Sequence, residues 1–206
     1  MNAPAAPTPG AVVLDEHECR DVFRACLDAL TRPGTIHRVA TDRHPAHLMP
    51  LLALTDLTTP VAVLPGSRTP EEAVEDLRAA AAITHAPVVA VGAARWVLAG
   101  AGPVPAQYEE LAVGTDEVPQ DGAMVVQMVD GLCEGAGAGS LRLTGPGIDG
   151  EAGLRVAGLD AEVLDARRAL TSGYPRGIDL ILVAPDGAIA GLPRTTRIDR
   201  LEGADS

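Results

Sequence analysis

One stretch near the C-terminus limits the folds open to this chain. Residues 178–183 read Ile-Asp-Leu-Ile-Leu-Val, a short β-branched-rich apolar run closed by turn residues, the pattern of a buried strand. Pro185-Asp186-Gly187 follows. Pro presets φ, Asp caps its own backbone and Gly allows positive φ, so these three make a turn. Residues 188–192 then return as the second arm of a hairpin. Two features go beyond scaffold. Asp179 lies inside the apolar strand, and Arg176 and Arg194 flank the two arms. A buried carboxylate between guanidinium groups builds either a structural ion pair or a site, and most such carboxylates are paired for folding reasons.

Strong helix signals precede this hairpin. Asp15 with Glu18 reads as a capping box opening a helix, and Val22, Phe23, Cys26, Leu27 and Leu30 mark its expected buried face. Glu16 and Arg20 fall i,i+4 on the wet side, and Arg32-Pro33-Gly34 stops the helix. Thr69-Pro70-Glu71-Glu72 opens another, with Ala73, Val74, Leu77, Ala80 and Ala81 as its stripe. Asp160 caps a last helix over 160–170, whose Arg167 and Arg168 are expected in solvent. Shorter helices are expected at 48–57 and 105–113. Strands are expected at 35–39, 61–64, 88–91, 96–98, 123–129 and 140–144. Gly135-Ala-Gly-Ala-Gly139 reads as a hairpin tip, because it lacks the Gly-Lys-Ser/Thr ending and the following helix of a phosphate loop. This alternation implies an α/β domain, three-layer αβα with a mixed central sheet, over residues 13–201. Residues 1–12 and 202–206 are expected to be tails.

Composition excludes several functions. The net charge is −12 and aromatics are 2%, which disfavours nucleic acid and anionic membranes as partners. No stretch is long and apolar enough to span a bilayer. All 16 basic residues are Arg. Without Lys there is no internal Schiff base for pyridoxal phosphate and no Walker-type phosphate Lys. Any bound anion is held by Arg or by backbone N–H groups. Cys19, Cys26 and Cys133 are too scattered for a disulfide framework and read as reduced, which fits a cytoplasmic protein. His44 and His47 lack a third nearby ligand, so no metal site is expected.

No catalytic elbow, zinc motif, Cys-x-x-Cys or dinucleotide fingerprint is present. No cofactor is expected and no catalytic residue stands out. What remains are Arg-bearing turns: Arg32 before Pro33-Gly34, Arg142 before Gly145-Pro-Gly147, and Arg176 with Arg194, Thr195 and Thr196. Gathered at one sheet edge, they would bind a phosphate or a partner carboxylate; dispersed, they cap strands, with Asp179 paired to one of them. On the first alternative, Arg194→Ala weakens assembly and leaves the isolated chain folded.

Three segments carry a family signature. Phe23-Arg24 with Ala29-Leu-Thr-Arg-Pro-Gly-Thr-Ile36, then Leu141-Arg-Leu-Thr-Gly-Pro-Gly-Ile148, then Tyr174-Pro-Arg-Gly-Ile-Asp-Leu-Ile-Leu182 with Leu192-Pro-Arg-Thr-Thr196, together resemble the PhnH family of the bacterial carbon–phosphorus lyase system. The resemblance implies a fold similar to pyridoxal-phosphate-dependent transferases but without the cofactor. It also implies homodimers when the subunit is alone, and a core complex with PhnG, PhnI and PhnJ. That machinery couples an alkylphosphonate to the ribose of ATP and displaces adenine. The family brings no agreed catalytic residue. The alternatives are a free-standing enzyme or a dimeric binding protein for a phosphorylated or phosphonate metabolite.

Overall fold

The computed structural model describes residues 13–102, 105–137 and 139–200; the expected tails lie outside these, as does Ala138 of the Gly/Ala run. In chain order the elements are α1 (Glu16–Thr31), β1 (His37–Arg38), α2 (Met49–Leu54), β2 (Val61–Leu64), α3 (Pro70–Thr84), β3 (Trp96–Ala99), α4 (Pro105–Tyr108), β4 (Met124–Met128), β5 (Gly131–Glu134), β6 (Leu141–Thr144), β7 (Ala152–Ala157), α5 (Ala161–Leu170), β8 (Asp179–Val183), β9 (Ala188–Leu192) and β10 (Arg197–Arg200). The main sheet is mixed, in the order β1-β9-β8-β4-β3-β2. Its β2, β3, β4 and β8 are parallel neighbours, and β9 returns antiparallel to β8 with Leu180 opposite Leu192. The 178–192 hairpin of the sequence is therefore built as expected.

Period-two alternation divides the core between the two faces of this sheet. Leu98, Val126, Ile181, Val183 and Ile189 pack under α1, α2 and α3 with Val22, Cys26, Ala29, Leu51 and Leu77. Val97, Val125, Leu180, Leu182 and Leu192 face the other way, onto Leu143, Leu154, Val163 and Leu164. Helices thus cover one face. The opposite layer is a second, four-stranded antiparallel sheet, β10-β6-β7-β5, accompanied by α5. The architecture is α/β with a mixed sheet, but that layer is not helical alone as an αβα sandwich requires.

The caps read from sequence are present. Asp15 with Glu18 and Thr69 with Glu72 form reciprocal capping boxes, and Asp160 accepts from Glu162 N. The buried face of α1 departs from the sequence reading. Phe23 and Leu27 are about half exposed, and Val22, Ala25, Cys26 and Ala29 face the core. The cause is close packing on β9: a Cβ on Gly191 would overlap the Ala29 carbonyl. Only small side chains fit between helix and strand at that approach, so the alanine face turns inward and the larger residues turn out.

Other differences are local. The helix expected at 48–57 ends at Leu54, where Thr55 turns extended, and Leu57 is exposed. Residues 88–91 form only an isolated bridge, Val88 to Val61, before a 3-10 turn at Val91–Ala93. Pro87 and Gly92 bracket the segment, and Pro offers no ladder donor. The helix expected at 105–113 spans one turn, pinned by the buried Tyr108 hydroxyl, which donates to Gln127 Oε1. The Gly/Ala run is not a hairpin tip. It leads from β5 to β6, and both pair with β7 instead of with each other.

His47 sits at the carboxyl end of the parallel strands. Its Nε2 lies 2.7 Å from Asp76 Oδ2, and Arg68 Nη2 is 2.8 Å from the same oxygen. Burial lowers its pKa from 6.5, opposed by the Asp76 carboxylate and reinforced by Arg68. A histidine depressed in the folded state takes up its proton more readily when unfolded. Its stability contribution is therefore complete above pH 6.5 and is lost as pH falls toward the folded value. His47→Gln is expected to destabilise the chain at pH 7.5 and to narrow its gap to the parent at pH 5.5. Urea unfolding at the two pH values measures this, and a constant gap would refute it.

Candidate functional site

The turn after β9 is gripped from two sides by arginines. Pro193 fixes φ at its start, and Thr196 N closes it on the Pro193 carbonyl at 2.8 Å. From within the turn, Arg194 reaches the first residue of β8. Its Nη2 is 2.6 Å and its Nε 3.1 Å from Asp179 Oδ2, and its backbone N–H donates to Oδ1 at 2.6 Å. Arg194 Nη1 donates to the Pro119 and Pro175 carbonyls at 2.7 and 3.2 Å. Both side chains are largely buried, at 13% and 17% exposure. The hairpin's carboxylate is thus clamped at the sheet edge where the parallel strands begin.

From the other side comes Arg167 of α5. It is 4% exposed, not solvated as the sequence reading had it. Its Nη2 donates to the carbonyls of Pro193, Thr196 and Leu192 at 2.5, 3.2 and 3.5 Å. Burial pulls its pKa down to about 10, and the nearby Asp179 carboxylate acts upward, so it is charged at neutral pH. Its Nε has no hydrogen-bond partner, and neither does the buried Thr196 Oγ1. A signal for this was available in the sequence. Val163, Leu164, Arg167 and Leu170 share one helical stripe, so Arg167 falls on the apolar face.

Arg167 and Thr196 line a hollow of about 770 Å³ between α5 and the strand-end turn, walled further by Leu164, Thr171, Tyr174 and Arg197. The opposite side of the turn borders a second hollow of about 530 Å³, lined by Trp96, Met124, Pro175, Asp179 and Arg194 among others. Of the residues singled out in the sequence, Arg194, Thr195 and Thr196 border both or the larger of these spaces, and Asp179 the smaller. Arg32, Arg142 and Arg176 border neither. Arg32 pairs with Asp28 at 2.7 Å, Arg142 with Asp199 at 3.1 Å and Arg176 with Asp116 at 3.1 Å, all near the surface. Arg167 and Arg197 were not singled out.

The three signature segments nevertheless meet through their backbones. A Cβ on Gly147 would overlap the Thr31 carbonyl and lie 3.2 Å from Pro33, and one on Gly145 would lie 2.9 Å from the Thr195 carbonyl. The first segment is therefore seated on the second, and the second on the third. Residues scattered over the sequence form one continuous structure around the turn.

Comparison with known proteins agrees with this arrangement. Residues 12–199 match the family model described as bacterial phosphonate metabolism protein (PhnH). The chain is 35% identical over 186 residues to HtxG of Stutzerimonas stutzeri, assigned as a C-P lyase subunit protein, covering 88% of this chain and 86% of that one. It is 30% identical over 207 residues to the alpha-D-ribose 1-methylphosphonate 5-triphosphate synthase subunit PhnH of Rhizobium meliloti, covering 97% of this chain and all of the relative. With matches running nearly end to end through all three segments, the chain belongs to the PhnH family of bacterial phosphonate metabolism proteins.

Proposed function

We propose that this chain is a subunit of the carbon–phosphorus lyase assembly, supporting transfer of an alkylphosphonate to the ribose of ATP with release of adenine. It works docked to PhnG-, PhnI- and PhnJ-type subunits, pairs with itself when alone and resides in the cytoplasm. Its fold, on this reading, is a relative of the pyridoxal-phosphate-dependent transferases that carries no such cofactor; the lack of any Lys fits that. The observation that carries the proposal is the match to a synthase subunit over that subunit's entire length.

The geometry fits a supporting role. Asp179 and Arg194 are committed to each other. Thr35 Oγ1 lies 2.9 Å from His37 Nε2, but it also donates to the Arg32 carbonyl at 2.7 Å. With its one proton given to Arg32, the hydroxyl accepts from the imidazole, which is not a base poised on a nucleophile. Phe23, part of the family signature, is exposed one helical turn from exposed Leu27, an apolar pair suited to a partner.

Co-expression with the three partner subunits tests this. The chain is expected to co-purify with them, and the assembly to release adenine from ATP and methylphosphonate while the isolated chain releases none. Phe23→Glu with Leu27→Glu is expected to cut co-purification at least tenfold at an unchanged unfolding midpoint. Adenine release by the isolated chain would overturn the reading in favour of a free-standing enzyme.

A further inference from the structure

We propose that the 770 Å³ hollow beside α5 is a binding site for a phosphorus oxyanion, a phosphonate or the terminal phosphate of a nucleotide, held by Arg167 and Thr196 with Arg197 at the rim. The proposal does not depend on the subunit role, because it concerns the isolated chain.

Three observations support it. First, a guanidinium only 4% exposed makes no ion pair among the described residues; its Nη2 donates to carbonyl oxygens, which carry no net charge. Second, Arg167 and Thr196 both line the hollow, and Arg167 Nε and Thr196 Oγ1 are buried just behind its wall without hydrogen-bond partners. Folded proteins leave few such groups, and two at one place mark a missing acceptor. A tetrahedral oxyanion supplies several acceptor oxygens, and the planar guanidinium can bind two of them at once. Third, the local charge is positive although the chain is acidic. Arg167, Arg168, Arg194, Arg197 and Arg200 line the space against Asp199 alone, and Asp199 is held by Arg142 at 3.1 Å. Arg194 is committed to Asp179 and Arg168 lies 3.6 Å from Asp165. Arg167, Arg197 and Arg200 make no ion pair among the described residues; Asp179, paired to Arg194, acts on Arg167 only from beyond that distance.

The C-terminal end of α5 also opens toward the hollow, and its negative dipole end works against an anion. That effect is muted because the last carbonyls are already occupied. Thr171 Oγ1 donates to the Arg167 carbonyl at 2.9 Å, and Ser172 Oγ to that of Ala169 at 2.7 Å. The volume lies within the range of small-ligand pockets and leaves room beyond a single phosphorus group.

Calorimetric titration of the isolated full chain at low salt, with inorganic phosphate, methylphosphonate and ATP in separate arms, tests the site. Heat from at least one arm is expected, and which arm binds tightest identifies the source of the oxyanion. Thr196→Val removes a hydroxyl that makes no side-chain hydrogen bond and is expected to leave the fold as stable as the parent or slightly more so. Arg197→Gln changes an exposed side chain. Each variant is expected to weaken binding at least fivefold. No binding in any arm, or parental affinity in either variant, overturns the proposal. Loss of co-purification would bear on the subunit role and leave this result standing.

Discussion

Asp179→Ala is expected to lower the unfolding free energy of the isolated chain by about 3–5 kcal/mol, the usual cost of leaving one partner of a buried ion pair alone. Three donors of Arg194, its backbone N–H, Nε and Nη2, lose their acceptor together. The carbonyls of Pro119 and Pro175 still hold Nη1, but carbonyl oxygens do not neutralise the charge. Arg167, already depressed by burial, loses the carboxylate that stabilises its charged form. One substitution therefore leaves the largely buried Arg194 without its ion pair and removes a longer-range influence that favours the charge of Arg167. In a domain of this size the melting temperature should fall by roughly 10 °C.

The companion variants separate charge from shape. Asp179→Asn keeps an acceptor oxygen and should cost about half as much. Arg194→Ala should also destabilise, because it removes the clamp on two carbonyls as well as the ion pair. It is therefore not the clean assembly variant that the sequence suggested. Asp179→Leu with Arg194→Met should recover most of the loss, since a well-packed apolar pair replaces a buried ion pair at little net cost. Urea unfolding with an unchanged m-value measures all four. A loss below about 1 kcal/mol for Asp179→Ala would show that the pair is worth no more than a surface salt bridge.

What the sequence revealed followed from local rules. The caps at Asp15, Thr69 and Asp160 and the 178–192 hairpin depend on residues a few positions apart, and the structure has them. β5 and β7 were not legible. Gly-Leu-Cys-Glu is short and polar, and Ala-Gly-Leu-Arg-Val-Ala forms a strand because β5 and β6 both need a partner. The rotation of α1 was hidden too, since Phe23 and Leu27 are displaced by a contact with Gly191, 162 positions after Ala29. For the site, Asp179 and Arg194 were visible as charges around an apolar strand. Arg167 is hidden because a guanidinium reads as solvent-facing even where it falls on the apolar stripe of a helix. Burying it takes three carbonyls from the end of β9 and the turn after it, 25–29 residues later, which no local pattern encodes.

Gly147→Ala is expected to destabilise the chain by about 4 kcal/mol, although it adds only one methyl group to an exposed loop residue. Two costs combine. The backbone at Gly147 has φ +82°, a region that costs an L-residue about 1–2 kcal/mol. The new Cβ would also overlap the Thr31 carbonyl and crowd Pro33 at 3.2 Å. Those neighbours are backbone and ring atoms at the C-terminal end of α1, so relief requires moving the helix end, not rotating a side chain. Gly150→Ala provides the internal control. It has φ +72° but nothing within 4 Å of its added Cβ, so it bears the conformational cost alone. The difference between the two variants, expected near 2–3 kcal/mol, measures the packing of the first signature segment on the second. Equal losses would show that the segments only touch. A large difference would show why residues so far apart in the chain form one signature: they share one backbone contact surface, and a single methyl group separates them.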